Sequence, residues 1–163
     1  MEKPMNFRFV WLLLAACVTA FIWQQSTLPR EESAETSEAV REVIVTIVGG
    51  EETALGSFFD RFVRKVAHVT EFAVLGLCIE AYLTRRHTLV RDLIALGFGL
   101  AVAAIDELLQ VFTGRGPAVT DVLLDLGGYV AATLLLRLLV RCFVWVNEKR
   151  KAMANAAKTT HDV

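Results

Sequence analysis

The chain has 163 residues and is 55% hydrophobic, above the roughly 45–50% apolar content of soluble globular domains. This length allows one compact domain, residues 1–163, and excludes a second domain of ordinary size. The formal net charge of −1 gives no general attraction to nucleic acid, so we expect no nucleic-acid partner.

Four apolar runs predict four membrane-spanning helices. A span needs about twenty apolar residues, and the first run is somewhat shorter than that. A secretory signal peptide is therefore an alternative for the first run. Gln24, Gln25 and Ser26 follow it in place of a small-residue cleavage site, which favours a helix that stays in the protein. The predicted spans cover about residues 8–24, 66–84, 92–113 and 121–146.

Residues 25–65, between the first two spans, are predicted to form an outer loop with short amphipathic helices. Apolar residues recur there at helical spacing, at Val40, Val43, Ile44 and Ile47. The β-branched run at 43–48 also suits a strand, but no pairing partner is in view, so we prefer a helix. A second amphipathic stretch covers 55–64, and a polar tail, 147–163, ends the chain. The predicted fold is an all-α membrane protein, a four-transmembrane-helix bundle.

The basic residues near the span ends predict the orientation, because cytoplasmic loops carry an excess of Lys and Arg. With a cytoplasmic N-terminus, the cytoplasmic side holds Lys3, Arg8, Arg85, Arg86, Arg91, Arg141, Lys149, Arg150 and Lys151. The opposite side then holds the first loop, which is acidic overall. We therefore expect both termini to be cytoplasmic.

The third predicted span contains the most informative residues of the chain. Asp106, Glu107 and Gln110 interrupt a run that is otherwise apolar from Leu93 to Phe112. Charged groups at membrane depth cost several kcal/mol unless they are paired, hydrated or protonated, so their presence indicates a function by default.

The alternating topology predicts that polar residues from three spans, most of them ionisable, lie at one depth. They are His68 and Glu71 in the second span, Asp106 and Gln110 in the third, and Asp121 and Asp125 in the fourth. A rise of about 1.5 Å per residue places them about 2 to 9 Å from the outer ends of their spans. We therefore expect one shared polar site in the outer layer of the membrane.

The predicted site has an excess of carboxyls over its nearby cations, Lys65 and Arg115. Such an excess cannot stay fully ionised without help, so some carboxyls hold protons or a divalent cation lies among them. His-x-x-Glu spacing is the sequence signal for a metal at His68, and this signal is weak. Lys65 and Arg115 are suited to hold a phosphate or carboxylate from outside. The expected ligand-binding residues are Lys65, Glu71, Gln110, Arg115, Asp121 and Asp125.

A purely structural polar network is the alternative to a binding or catalytic site. Buried polar residues often pair with one another and fix the register of packed helices. Glu80, in the inner half of its span, is expected to pair with cytoplasmic arginines. Gly99 with Ala103, and Gly128 with Ala132, have the spacing of residues at close helix contacts.

These residues resemble the VanZ-like family over roughly residues 24–132. The matching pieces are Lys65-x-x-His68, Glu71-Phe72, Leu75-Gly76, Asp106-Glu107-x-x-Gln110-x-Phe112-x-Gly114-Arg115, Asp121-Val122-Leu123-Leu124 and Gly128. The serine-bearing first loop of the family is similar to Gln25-Ser26, Ser33 and Ser37, and the family usually has Asn where this chain has Asp125. The resemblance implies a bacterial cytoplasmic-membrane protein of a type linked to low-level resistance to glycopeptides such as teicoplanin.

The sequence leaves several functions open. The favoured one is a cell-envelope protein that binds a lipid-linked or cell-wall headgroup, with Arg115 and Lys65 on its anion and carboxyls on its hydroxyls. The second is a membrane enzyme acting on a surface lipid or peptidoglycan precursor, with Asp106 or Glu107 as general base and His68 as acid or metal ligand. An ion pathway is disfavoured because the inner halves of spans three and four lack a polar trail. A structural helper protein is the last alternative.

Overall fold

The computed structural model describes four α-helices and the turns next to them. They are α1 (Arg8–Ser26), α2 (Gly56–Leu83), α3 (Leu89–Phe112) and α4 (Val119–Thr159). The described residues are 8–27, 56–83, 88–113 and 118–159. All regular structure in these ranges is helical, and all four helices are long and apolar enough to cross a membrane. The predicted all-α fold with four spanning helices is therefore confirmed.

The helices extend beyond the predicted spans at several ends. The stretch at 55–64 is predicted as a separate amphipathic segment, but α2 runs through it without a break from Gly56. No Pro or Gly follows in α2 before Gly76, so nothing interrupts the helix there. The end of α1 at Ser26 and the end of α4 at Thr159 also lie beyond the predicted limits. The helix predicted around 39–48 lies outside the described residues.

Successive helices run in opposite directions, so the bundle has two distinct ends. We call the end that contains Ser26, Phe112 and Val119 the Ser26 end, and the other the Arg8 end. The most extensive helix contact joins α2 and α4. A Cβ added to Gly128 would lie 2.6 Å from the carbonyl oxygen of Val69, so the two backbones touch there. This contact confirms the packing role predicted for Gly128.

The buried core lies between α1, α2, α3 and α4 and is built mainly from apolar side chains. It comprises Ala15, Ile22, Phe72, Leu75, Cys78, Val102, Ala103 and Tyr129. Gly99 of α3 packs against the ring of Tyr129, whose hydroxyl donates to the carbonyl oxygen of Ala95 at 2.8 Å. The contact between α2 and α3 is much less extensive than those that α2 makes with α1 and α4. Helix α3 is thus the least closely packed partner of α2.

A charged network joins three helices near the Arg8 end. The guanidinium of Arg137 in α4 donates to both carboxylate oxygens of Glu80 in α2, at 3.1 and 2.9 Å. It also donates to Asp92 of α3 at 3.2 Å. Glu80 was expected to pair with cytoplasmic arginines, and its partner among the described residues, Arg137, lies within the apolar part of α4. Arg137 is thus a single ion-paired residue in the inner half of the fourth predicted span, where no polar trail was expected from the sequence.

Candidate functional site

Polar side chains from all four helices meet near the Ser26 end. We call Ser26, His68, Asp106, Gln110 and Asp125 the polar cluster. Ser26 and Asp106 are fully buried, and Asp125 is 3% exposed. Each helix contributes because its polar residues lie close to this end, as the alternating topology predicts. The expected convergence of His68, Asp106 and Asp125 is therefore confirmed.

Asp106 is the centre of the polar cluster. The hydroxyl of Ser26 donates to its Oδ1, and the side-chain amide of Gln110, one turn later in α3, donates to its Oδ2 at 3.0 Å. The Nδ1 atom of His68 in α2 lies 3.7 Å from the same Oδ2. Contacts from three helices therefore fix the orientation of this carboxylate, which is the usual support for a group that binds a ligand or moves a proton.

Asp125 brings a second buried carboxylate to His68 and Asp106. One ligand atom from each of these three residues lies within 4.8 Å of the others. Asp125 also interacts electrostatically with Glu71, Asp106, Glu107 and Asp121. The Oε2 atom of Glu71 is 4.0 Å from His68 Nδ1, at the side of the cluster. The interior of the site is therefore strongly acidic.

Glu107 faces a different neighbour from Asp106. Its Oε1 accepts a hydrogen bond of 2.6 Å from the backbone N–H of Ala118, directly before α4 begins. Adjacent residues of a helix point about 100° apart, so Asp106 and Glu107 face different partners. A carboxylate at the start of a helix is favoured by the helix dipole, and Glu107 therefore holds α3 to the start of α4.

The remaining predicted residues lie at the rim or beyond the described ranges. Lys65 Nζ is 2.7 Å from Asp121 Oδ1, and these side chains are 47% and 36% exposed. This ion pair links α2 to the first turn of α4 beside the cluster. Arg115 lies in the segment 114–117, which is outside the part of the chain that the structure describes.

Two residues of the polar networks were not identified from the sequence. Ser26 was assigned to a loop, although Gln25-Ser26 was part of the resemblance and could have signalled its role. It lies on the last turn of α1, where its hydroxyl reaches Asp106. Arg137 was not singled out because an arginine near the end of a long apolar run is ordinarily read as cytoplasmic.

The comparison with protein families accounts for most of this chain. A family model described as VanZ/LLP1 matches residues 10–140, more than half of the chain. The chain belongs to the VanZ/LLP1 family. The family predicted from the sequence is thereby confirmed, and the matched range includes the polar cluster, the Lys65–Asp121 pair and Arg137. No curated protein and no solved structure gives a significant match.

The arrangement in this VanZ/LLP1 protein has definite chemical capacities. The imidazole of His68 beside the carboxylate of Asp106 can accept and donate a proton. Carboxylate oxygens can accept hydrogen bonds from hydroxyl groups or coordinate a cation. The ammonium of Lys65 at the rim can attract an anion. Each of these capacities suits a polar ligand that enters from the Ser26 end.

Proposed function

We propose that this VanZ/LLP1 protein binds the anionic headgroup of a lipid-linked or cell-wall ligand at the polar cluster. It lies in the bacterial cytoplasmic membrane, with both termini in the cytoplasm and the Ser26 end in the outer leaflet. Through this binding it contributes to low-level resistance to glycopeptides such as teicoplanin. The basic residues on the cytoplasmic side and the family resemblance support this placement.

One observation carries the proposal: a fully buried Asp106 with contacts from three helices, at the same end of the bundle as a half-exposed Lys65. A purely structural role that fixes helix register would not need this many polar contacts around Asp106, because apolar packing already holds α2 to α4. Ionisable groups inside membrane spans are costly and mark ligand sites by default. The acidic interior is suited to hydroxyl groups, and the ammonium of Lys65, which is paired with Asp121 at the rim, is suited to contact an anion.

Native mass spectrometry of protein extracted gently from its own membranes tests the binding. We expect a specific adduct on the wild type whose mass identifies a headgroup-bearing lipid. Arg115→Ala removes the cation predicted from the sequence to hold the anion, and we expect it to reduce adduct occupancy by about 10-fold or more. Arg141→Ala is the control, because Arg141 is exposed and lies on the opposite half of α4. Thermal unfolding of each variant separates lost binding from lost fold.

Two results would contradict the proposal. One is equal adduct occupancy in the wild type and Arg115→Ala. The other is a wild type without any adduct, together with unfolding of Asp106→Asn. The second result would leave the structural network as the explanation of the cluster.

The separation of 3.7 Å between His68 Nδ1 and Asp106 Oδ2 favours one further candidate, a membrane enzyme. In it, Asp106 or Glu107 is the general base and His68 the acid, acting on a surface lipid or peptidoglycan precursor. Asp106→Asn keeps the side-chain shape but removes the basic carboxylate. An enzyme would lose turnover in Asp106→Asn with an unchanged melting temperature, whereas a protein that only binds its ligand would show no turnover in the wild type either.

A further inference from the structure

We propose that His68, Asp106 and Asp125 bind one divalent transition-metal ion, and that this ion receives the anionic headgroup. The role as headgroup receptor rests on the proposed function, whereas the metal site does not. The three ligands come from α2, α3 and α4, so the ion also joins these helices near the Ser26 end.

The geometry of the three side chains is close to that of a metal site. One imidazole nitrogen and one oxygen from each carboxylate lie within 4.8 Å of one another. Ligands about 2.0–2.2 Å from a metal lie up to about 4.4 Å apart when they are on opposite sides of the ion. Small side-chain rotations therefore suffice to complete the site. Three protein ligands leave a coordination position for an oxygen of an external ligand.

The charge of the cluster points to a cation. Asp106 and Asp125 are 0% and 3% exposed, and Glu71 and Glu107 are in electrostatic range of Asp125. An acidic interior of this kind repels a phosphate group rather than receiving it. A bound divalent cation is usually the largest local charge in its site and reverses the sign of the local field. A divalent cation among these carboxylates would therefore give the anionic headgroup a positive charge to bind.

The burial of Asp125 supplies independent support. This side chain is 3% exposed, and one of its oxygens lies within 4.8 Å of ligand atoms of His68 and Asp106. A second buried carboxylate beside the first is costly unless a cation compensates its charge.

The surroundings of Asp106 match those of a metal ligand. Metal-binding carboxylates are themselves hydrogen-bonded by outer residues that fix their orientation. Ser26 and Gln110 each donate to one oxygen of Asp106 and hold this carboxylate beside His68. One imidazole with two carboxylates favours Zn²⁺ or Mn²⁺ over Ca²⁺, which prefers more oxygen ligands.

The first test measures metal content in the full chain purified without chelators. Elemental analysis should find about one Zn²⁺ or Mn²⁺ per chain in the wild type, and His68→Ala and Asp125→Ala should lose at least about 10-fold in occupancy. Glu148→Gln, an exposed carboxylate outside the cluster, should keep the wild-type content. Folding of the variants is checked by size-exclusion chromatography.

A second measurement does not depend on variants. Wild type stripped with EDTA should bind Co²⁺ with the visible absorption of nitrogen and oxygen coordination. Zn²⁺ at 100 times its Kd should raise the free energy of unfolding by about 2.7 kcal/mol. A metal-free wild type that shows neither the Co²⁺ spectrum nor this stabilisation would overturn the proposal, as would unchanged metal content in His68→Ala.

Inorganic phosphate separates this inference from the proposed function. With both correct, phosphate should bind to the Zn²⁺-loaded wild type and not to the EDTA-treated protein. Phosphate binding that is unchanged after EDTA treatment would refute the metal as the phosphate receptor but would still support headgroup binding. A metal site without phosphate or lipid adducts would refute headgroup binding and leave the metal site standing.

Discussion

Replacing Arg137 with Met should destabilise the bundle strongly. Its guanidinium donates two hydrogen bonds to Glu80, which is only 4% exposed, and two to the more accessible Asp92. Removing one partner of a buried ion pair costs about 3–5 kcal/mol, because the other charge is left uncompensated. For a chain of this size that corresponds to a fall of about 6–20 °C in melting temperature.

The assay is size-exclusion chromatography of detergent-solubilised protein after heating. Arg141→Met is the control, since Arg141 is exposed on the same helix. The double variant Arg137→Met with Glu80→Gln should recover most of the loss, because it removes the uncompensated carboxylate. The buried ion-pair argument is wrong if Arg137→Met has the same melting temperature as the control. It is also wrong if the double variant has a melting temperature no higher than that of Arg137→Met.

Two further variants test the packing and the rim. Gly128→Ala places a methyl group against the carbonyl of Val69 and should lower the free energy of unfolding by about 1–3 kcal/mol. Gly127→Ala is the control, because its methyl group meets open space and should not destabilise the chain. Thermal unfolding of both variants tests this difference. Lys65→Gln breaks an exposed ion pair with Asp121. The free energy of unfolding should therefore change by less than about 1 kcal/mol, while adduct occupancy in native mass spectrometry should fall. A large loss of stability in Lys65→Gln would refute its assignment to the rim.

Most of the fold can be predicted from the apolar runs of the sequence and their order along the chain. The length of the apolar runs predicts the four helices, and the alternating direction of spans predicts that His68, Asp106 and Asp125 meet at one end. Helix ends were less predictable, because helix α2 and helix α4 continue where the composition turns polar. Helix propensity without a Pro or Gly is enough to extend a spanning helix beyond the apolar run.

The partners within the site could not be predicted from spacing. Asp106 and Glu107 are adjacent and both carry a carboxyl group, and the rotation of α3 about its axis decides which of them faces His68. That rotation depends on contacts such as Gly99 against Tyr129, which join residues far apart in the chain. The position of Ser26 depends likewise on where α1 meets α3.

The weak contact between α2 and α3 has a consequence for how the protein is assembled in the bilayer. Helix α3 carries Asp106 and Glu107, whose partners lie on α1, α2 and at the start of α4. Inserted alone, α3 would expose both carboxyls to lipid, where association between helices has no hydrophobic driving force of its own. Because α3 contacts α2 only weakly and α4 more extensively, its carboxyls are fully shielded from lipid only in the assembled four-helix bundle.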